Sequence, residues 1–241
     1  MKNISVAIPA YNEAPNIRKV VREGLAYLKK FPKREILVVD DGSKDETPRI
    51  LDELARKYKE VKVIHHPHNL GLGQALKTAY RNAKYEWIFY APADGQIKIS
   101  SLEKYLKYID KADIVIGYHK KRADPFKRKI ESALYHLLLR IFFGLDFKVS
   151  TSSKLYKKKV LDAITFEADS AFIEPEILFK AKNMGCRFAE VSIEHYPRVA
   201  GSAKGDTFAE TLQILYDIIK LWLFLRVRRR ERKLFKKLSL P

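Results

Sequence analysis

The sequence predicts an α/β fold, a mainly parallel sheet with helices on both faces. Three observations carry the prediction. Short apolar runs rich in Val, Ile and aromatic residues recur along the chain, as strands buried on both faces require. Segments with apolar residues at helical spacing separate them. The runs 4–8, 35–39 and 86–90 each lead into a polar loop that carries a carboxylate.

In order, Ile4-Ser5-Val6-Ala7-Ile8 reads as the first strand and runs into Pro9-Ala10-Tyr11-Asn12-Glu13. After Pro15, a residue suited to a helix start, Ile17, Val20, Val21, Leu25 and Leu28 repeat at helical spacing. Glu35-Ile36-Leu37-Val38-Val39 is the second strand, closed by Asp40-Asp41-Gly42-Ser43. Ser43 or Asp45 is placed to cap the helix that Pro48 opens, which leaves Asp40 and Asp41 without a structural task. Val61-Lys62-Val63-Ile64 is a short strand, 73–83 a helix, Glu86-Trp87-Ile88-Phe89-Tyr90 a strand, 101–109 a helix and Asp113-Ile114-Val115-Ile116-Gly117 a strand. Beyond 127 come a long helix and mixed elements around Lys154-Leu155-Tyr156 and Glu190-Val191-Ser192-Ile193. We expect one domain over 1–207, followed by an amphipathic helix and a polybasic tail over 208–241.

In open α/β sheets, ligands bind beyond the carboxyl ends of the strands. Loops carrying Tyr11 with Glu13, Asp40 with Asp41, and Asp94 with Gln96 would therefore converge on one sheet edge, as in a nucleotide site. Asp94 and Gln96 offer hard oxygen ligands to Mg²⁺ or Mn²⁺, which bridges to a diphosphate. Alone, Asp94-Gly95 is also a common turn.

The 241 residues, 46% hydrophobic, suffice for one substantial core and not for two large domains. Met1-Lys2-Asn3 leads directly into the first strand, so no N-terminal signal is expected. The lone Cys186, expected to be small and buried, forms no internal disulfide and suits a reducing, cytoplasmic compartment. The net charge of +18 is concentrated: 119–129 holds six Lys/Arg against Asp124, and 226–241 holds eight against Glu231. His65, His66 and His68 lack an evident Cys or acidic partner, and neighbouring strand residues point to opposite faces, which argues against a metal cluster.

Ile8-Pro9-Ala10-Tyr11-Asn12-Glu13, Val38-Val39-Asp40-Asp41-Gly42-Ser43, Asn69-Leu70-Gly71-Leu72-Gly73-Gln74-Ala75 and Asp94-Gly95-Gln96 occur in that order. Together they resemble the inverting family 2 glycosyltransferases of GT-A (Rossmann-like) fold, and more closely the polyprenol-phosphate sugar transferases, over about residues 3–205. The resemblance implies a nucleotide held by Pro9, Tyr11, Glu13, Asp41, Gly71, Gly73 and Asp94. It implies Mg²⁺ or Mn²⁺ on Asp94 and Gln96, and a departing diphosphate stabilised by Asp94 and Arg198. The family pattern Asp-x-Asp-x-Gln is broken here, because Pro92 stands at the first Asp, so fewer charged ligands and looser metal binding are expected.

On the acceptor side, Arg122 and Arg128 match the family's phosphate-gripping loop, and Arg198, Ser202 and Lys204 its late closing loop. The implied partners are a GDP- or UDP-linked sugar, a polyprenol phosphate and an anionic membrane surface, with no nucleic acid. A sugar-hydroxyl acceptor would need a base, for which Glu174 and Glu176 are candidates. Glu174-Pro175-Glu176 also reads as the acidic first turn of a helix. A basic nucleic-acid-binding protein is the rival from another class, but carboxylates at three converging strand ends would repel phosphate.

Glu210, Gln213, Asp217 and Lys220 form one polar stripe, with Phe208, Leu212, Leu215, Ile219 and Trp222 off it. Asp217 and Lys220 interrupt the apolar run, so a spanning helix is not expected. An interfacial helix with a basic anchor fits, peripheral on the cytosolic membrane face; a helix docked on its own core is the alternative.

Overall fold

The structure, a computed structural model, describes residues 2–119, 126–146, 153–197 and 212–223. Seven strands form one sheet in the order β3-β2-β1-β4-β6-β5-β7. They are β1 (Ile4–Ala10), β2 (Arg34–Asp40), β3 (Val61–His65), β4 (Trp87–Tyr90), β5 (Ile114–His119), β6 (Lys154–Lys157) and β7 (Phe188–Ile193). All neighbours are parallel except β6, which runs antiparallel to both β4 and β5. That reversal lies in the mixed region where the βα rhythm of the sequence gives out.

The helices are α1 (Ala14–Leu28), α2 (Thr47–Lys57), α3 (Leu72–Asn82), α4 (Leu102–Leu106, entered through a 3-10 turn at Ile99–Ser101), α5 (Phe126–Phe143), α6 (Lys158–Asp162), α7 (Ile173–Asn183) and α8 (212–223). Alternation along the central strands builds two cores. Val6, Ile8, Ile36, Val38 and Phe89 face α1, α2 and α4, whereas Ala7, Leu37, Val39, Ile88 and Tyr90 face α3 and α5–α8. Strands β1 and β4 are buried along their whole length, as their near-continuous apolar runs require.

The register aligns the functional edge. Ala10 pairs with Asp40 and Asp40 with His65, and the Asp41 amide donates to the Ala10 carbonyl. The polar loops after β1, β2, β3 and β4 therefore leave the sheet side by side.

Helix α8 corrects the expected polar stripe. Asp217 is buried and turned inward, while Ile218 and Leu221 enter the core. Leu212, Leu215, Tyr216, Ile219 and Leu223 are exposed instead. Among the described residues, no helix is long and apolar enough to cross a membrane. Cys186 is free but only half-buried, less enclosed than expected.

Candidate functional site

The loops after β1 and β2 are laced together before they meet anything else. Asn12, held at φ 52°, donates its amide to Ser43 Oγ (2.8 Å) and accepts from the Lys44 amide (2.7 Å). The Glu13 amide donates to Thr47 Oγ1 (2.8 Å) and the Ala14 amide to Asp45. Of the two expected caps, Asp45 does receive the Thr47 amide at the start of α2, while Ser43 serves the neighbouring loop.

The two aspartates ending β2 both have structural partners, contrary to expectation. Asp40 accepts from the Ser43 amide and lies 2.8 Å from His65 Nδ1. Asp41 accepts from the amides of Leu70 (3.0 Å) and Gly71 (2.9 Å) and lies 2.7 Å from His66 Nδ1. The histidines thus have acidic partners that the sequence did not reveal, supplied by the adjacent parallel strand. They do point to opposite faces, His65 to Asp40 and Asp52, His66 to Asp41 and Thr78. Three donors on Asp41 leave about one of its roughly four acceptor positions open. Gly71, at φ 88°, makes the left-handed turn that carries its amide to Asp41.

These loops border a cavity of about 400 Å³ at the carboxyl ends of β1, β2 and β4. Pro9, Tyr11, Glu13, Asp41, Gly71 and Asp94 all line it. Asp94 is mostly buried, and its Oδ1 accepts the Gln96 amide (2.9 Å) across Gly95. Gln96 does not line the cavity; its carbonyl accepts the Tyr196 amide (2.9 Å) and tethers the start of the late loop. Gly73 does not line it either, because its bare Cα packs against backbone: a Cβ there would meet the carbonyl oxygens of Asp169 and Ser170 at 2.3 and 2.4 Å. Arg122, Arg198, Ser202 and Lys204 lie outside the described residues, as does the side chain of Arg128.

No three His, Cys, Asp or Glu side chains gather into a metal cage among the described residues. Asp94 alone fits a divalent ion of the Mg²⁺ type, which keeps several waters and binds through one or two carboxylates plus substrate phosphates.

Glu174 and Glu176 stand at the first turn of α7, away from the cavity. Glu174 accepts from the Tyr80 (2.6 Å) and Tyr156 (2.8 Å) hydroxyls and pairs with the fully buried Lys154 (2.7 Å). Burial first, and the Glu174 charge second, push both tyrosines well above the usual phenol range. Glu176 accepts from the amides of Glu167 and Ala168 and pairs with Lys180. Their observed geometry is structural, the second of the two sequence readings.

Sequence reasoning missed the other wall of the cavity, formed by Asp169, Ser170 and Ala171 with Gln213 and Ile214. Asp169 Oδ1 accepts from Lys77 Nζ (2.6 Å) and Gln74 Nε2 (2.7 Å) of α3. The available signal was Gln213 and Asp217, four apart in a helix otherwise rich in apolar residues, but their inward direction is not written in the spacing.

The sheet order, with its reversed β6 and a cavity at the strand ends, is a fold of GT-A type. The family model for glycosyl transferase family 2 matches residues 5–165, and the chain belongs to that family. It is 30% identical over 239 residues to a glycosyltransferase, AglD, of Haloferax volcanii, covering 94% of this chain and 38% of that protein. It is 27% identical to a dolichyl-phosphate beta-glucosyltransferase, ALG5D, of Trichomonas vaginalis, covering 93% and 74%. Glucosyl-3-phosphoglycerate synthase from Mycobacterium tuberculosis, solved with Mn²⁺, UDP and glucosyl-3-phosphoglycerate, superposes with a TM-score of 0.71 at 17% identity, covering 91% of this chain and 79% of that one. This last likeness establishes the shared fold.

Proposed function

We propose that the chain transfers a sugar, with inversion, from a nucleoside-diphosphate sugar to a polyprenol phosphate. The observation that carries this reading is the gathering of Glu13, Asp41 and Asp94 from three separate strand ends around one cavity. The relative named dolichyl-phosphate beta-glucosyltransferase supports the acceptor class.

In this reading, the remaining acceptor position of Asp41 takes a base N–H, and Tyr11 and Glu13 border the nucleoside. Asp94 holds Mg²⁺ or Mn²⁺, with Gln96 keeping the Asp94 turn in place rather than entering the cavity. When bound, the metal neutralises charge developing on the departing diphosphate. A phosphate acceptor is already anionic and needs little general-base help, which agrees with Glu174 and Glu176 being bound in the core. Arg122, Arg128, Arg198, Ser202 and Lys204 complete the proposal as phosphate-binding groups, with Arg198 also assigned to stabilise the leaving group.

We also place the protein peripherally on the cytosolic membrane face, the anionic leaflet. Exposed Leu215, Tyr216 and Ile219 of α8, Leu137 and Ile141 of α5, and the two basic segments support this placement. The Phe142 and Trp222 rings meet at 5.5 Å, which makes α5 and α8 neighbours.

Calorimetric titration with UDP- and GDP-sugars, each with Mn²⁺ and with EDTA, tests the donor reading. We expect metal-dependent binding of one donor class and a loss of about 100-fold or more in transfer rate in Asp94→Ala. Binding of neither donor by the unaltered protein overturns the proposal.

A further inference from the structure

We propose that Asp217 is a positioning residue, which from the inner side of α8 holds the 169–171 wall of the donor cavity in its working place. The inference rests on the cavity being the donor site and adds a residue that neither the strand-end motifs nor the implied phosphate-binding loops contain.

Asp217 is only 2% exposed, and a carboxylate so enclosed is costly unless its oxygens are bonded. Its Oδ2 accepts two consecutive backbone amides, Asp169 (3.1 Å) and Ser170 (2.9 Å). Its Oδ1 accepts from the Gln213 side-chain Nε2 (3.4 Å), one helical turn back on the same helix. Asp169, Ser170 and Gln213 all line the cavity that Asp41 and Asp94 line. Asp217 does not, so it acts on the site through them.

The wall is gripped from two sides. From α3, Lys77 and Gln74 hold the Asp169 side chain, and the bare Gly73 Cα sets how closely the 169–170 backbone approaches. From α8, Asp217 holds the same backbone by its amides. Packing alone does not call for a carboxylate here, because Ile218 and Leu221 already anchor α8 in the core. Asp is also a weaker helix former than Leu or Ala. What the carboxylate supplies, and an apolar side chain would not, is a fixed acceptor for two amides in the segment entering α7.

The test uses the full chain and the donor that calorimetry selects, at a temperature where circular dichroism shows every variant folded. Asp217→Ala is expected to lower kcat/KM by about tenfold, chiefly through a raised donor KM and a matching loss of donor affinity. Asp217→Asn keeps an amide oxygen able to accept both N–H groups and should recover to within about threefold of the unaltered protein. Leu221→Ala removes a buried side chain from the same helix and should lower the melting temperature while leaving donor affinity unchanged. Donor affinity and kcat/KM of Asp217→Ala equal to those of the unaltered protein would overturn the inference and leave the functional reading standing. Leu221→Ala weakening the donor as much as Asp217→Ala would also overturn it, by making the effect a general loosening of α8. Failure of the unaltered protein to bind either donor removes the functional reading and this inference with it.

Discussion

The two walls of the cavity are built by different physics. On one side, the loops after β1, β2 and β4 are delivered together by parallel strand register, Ala10 beside Asp40 and Ala7 beside Tyr90. Any polar residue just beyond such a strand end reaches the sheet's functional edge, so short motifs are enough to specify it. On the other side, Asp169, Ser170 and Ala171 are held by Lys77, Gln74 and Asp217, contacts that span 47 to 95 residues and follow no ladder. Register fixes where the strands of the first wall end whatever their side chains, although the loops beyond them are also laced by side chains such as Asn12, Ser43 and Asp41. A wall specified by individual buried polar contacts is vulnerable at each of them.

The sharpest way to break the comparison is Glu174→Ala. It leaves the fully buried Lys154 ammonium and two tyrosine hydroxyls without their shared acceptor. We expect about 3–5 kcal/mol of destabilisation in urea unfolding, the cost typical of breaking a buried pair. A change below about 1 kcal/mol, combined with a large loss of turnover, would instead restore Glu174 as a catalytic base.

Gly73→Ala probes the place where the two walls touch. Backbone oxygens stand on the new Cβ from the Asp169 side, so the strain cannot be relieved by turning a side chain. A loss of about 1–3 kcal/mol is expected, typical of overpacking. A neutral result would mean that the 169–171 segment is free to retreat and that the second wall is looser than its contacts indicate.

The smallest effect is in pH dependence, where His65, at the end of β3, and Asp113, just before β5, run in opposite directions. Burial works to lower the His65 pKa, but the Asp40 and then Asp52 carboxylates outweigh it and raise it. Its contribution is therefore complete below the unfolded value of about 6.5 and is lost as pH rises through the higher folded value. Burial works to raise the Asp113 pKa, but the Arg187 amide and guanidinium and Lys157 overcome it and hold it at about 2. That contribution is present above the unfolded value of about 3.9 and is lost as pH falls towards the folded value. Unfolding midpoints across pH should show His65→Asn flattening the alkaline side and Asp113→Asn the acid side. The same profile in both variants would sink this assignment.

Much of the first wall was legible in the sequence. Ile4–Ile8, Glu35–Val39 and Glu86–Tyr90 are apolar strand runs, and the carboxylates beyond their ends mark the polar edge of the sheet. The pairing of His65 and His66 with Asp40 and Asp41 was not legible, because the partners sit 25 residues away and meet only across the β2–β3 ladder. For Gln96, motif position did not reveal that its backbone amide closes the Asp94 turn.

By itself, then, the sequence determined the alternation of strands and helices, the parallel core of the sheet and the family, since periodicity and strand-end polarity are local properties. Only the tertiary structure decided that β6 runs against its neighbours, that Glu174 and Glu176 belong to the core, and that Asp217 faces the cavity wall rather than water. Helical spacing tells which residues share a face, but which way that face turns depends on what else is packed there. For α8 the deciding contacts were two loop amides, 47 and 48 residues earlier in the chain, that donate to Asp217.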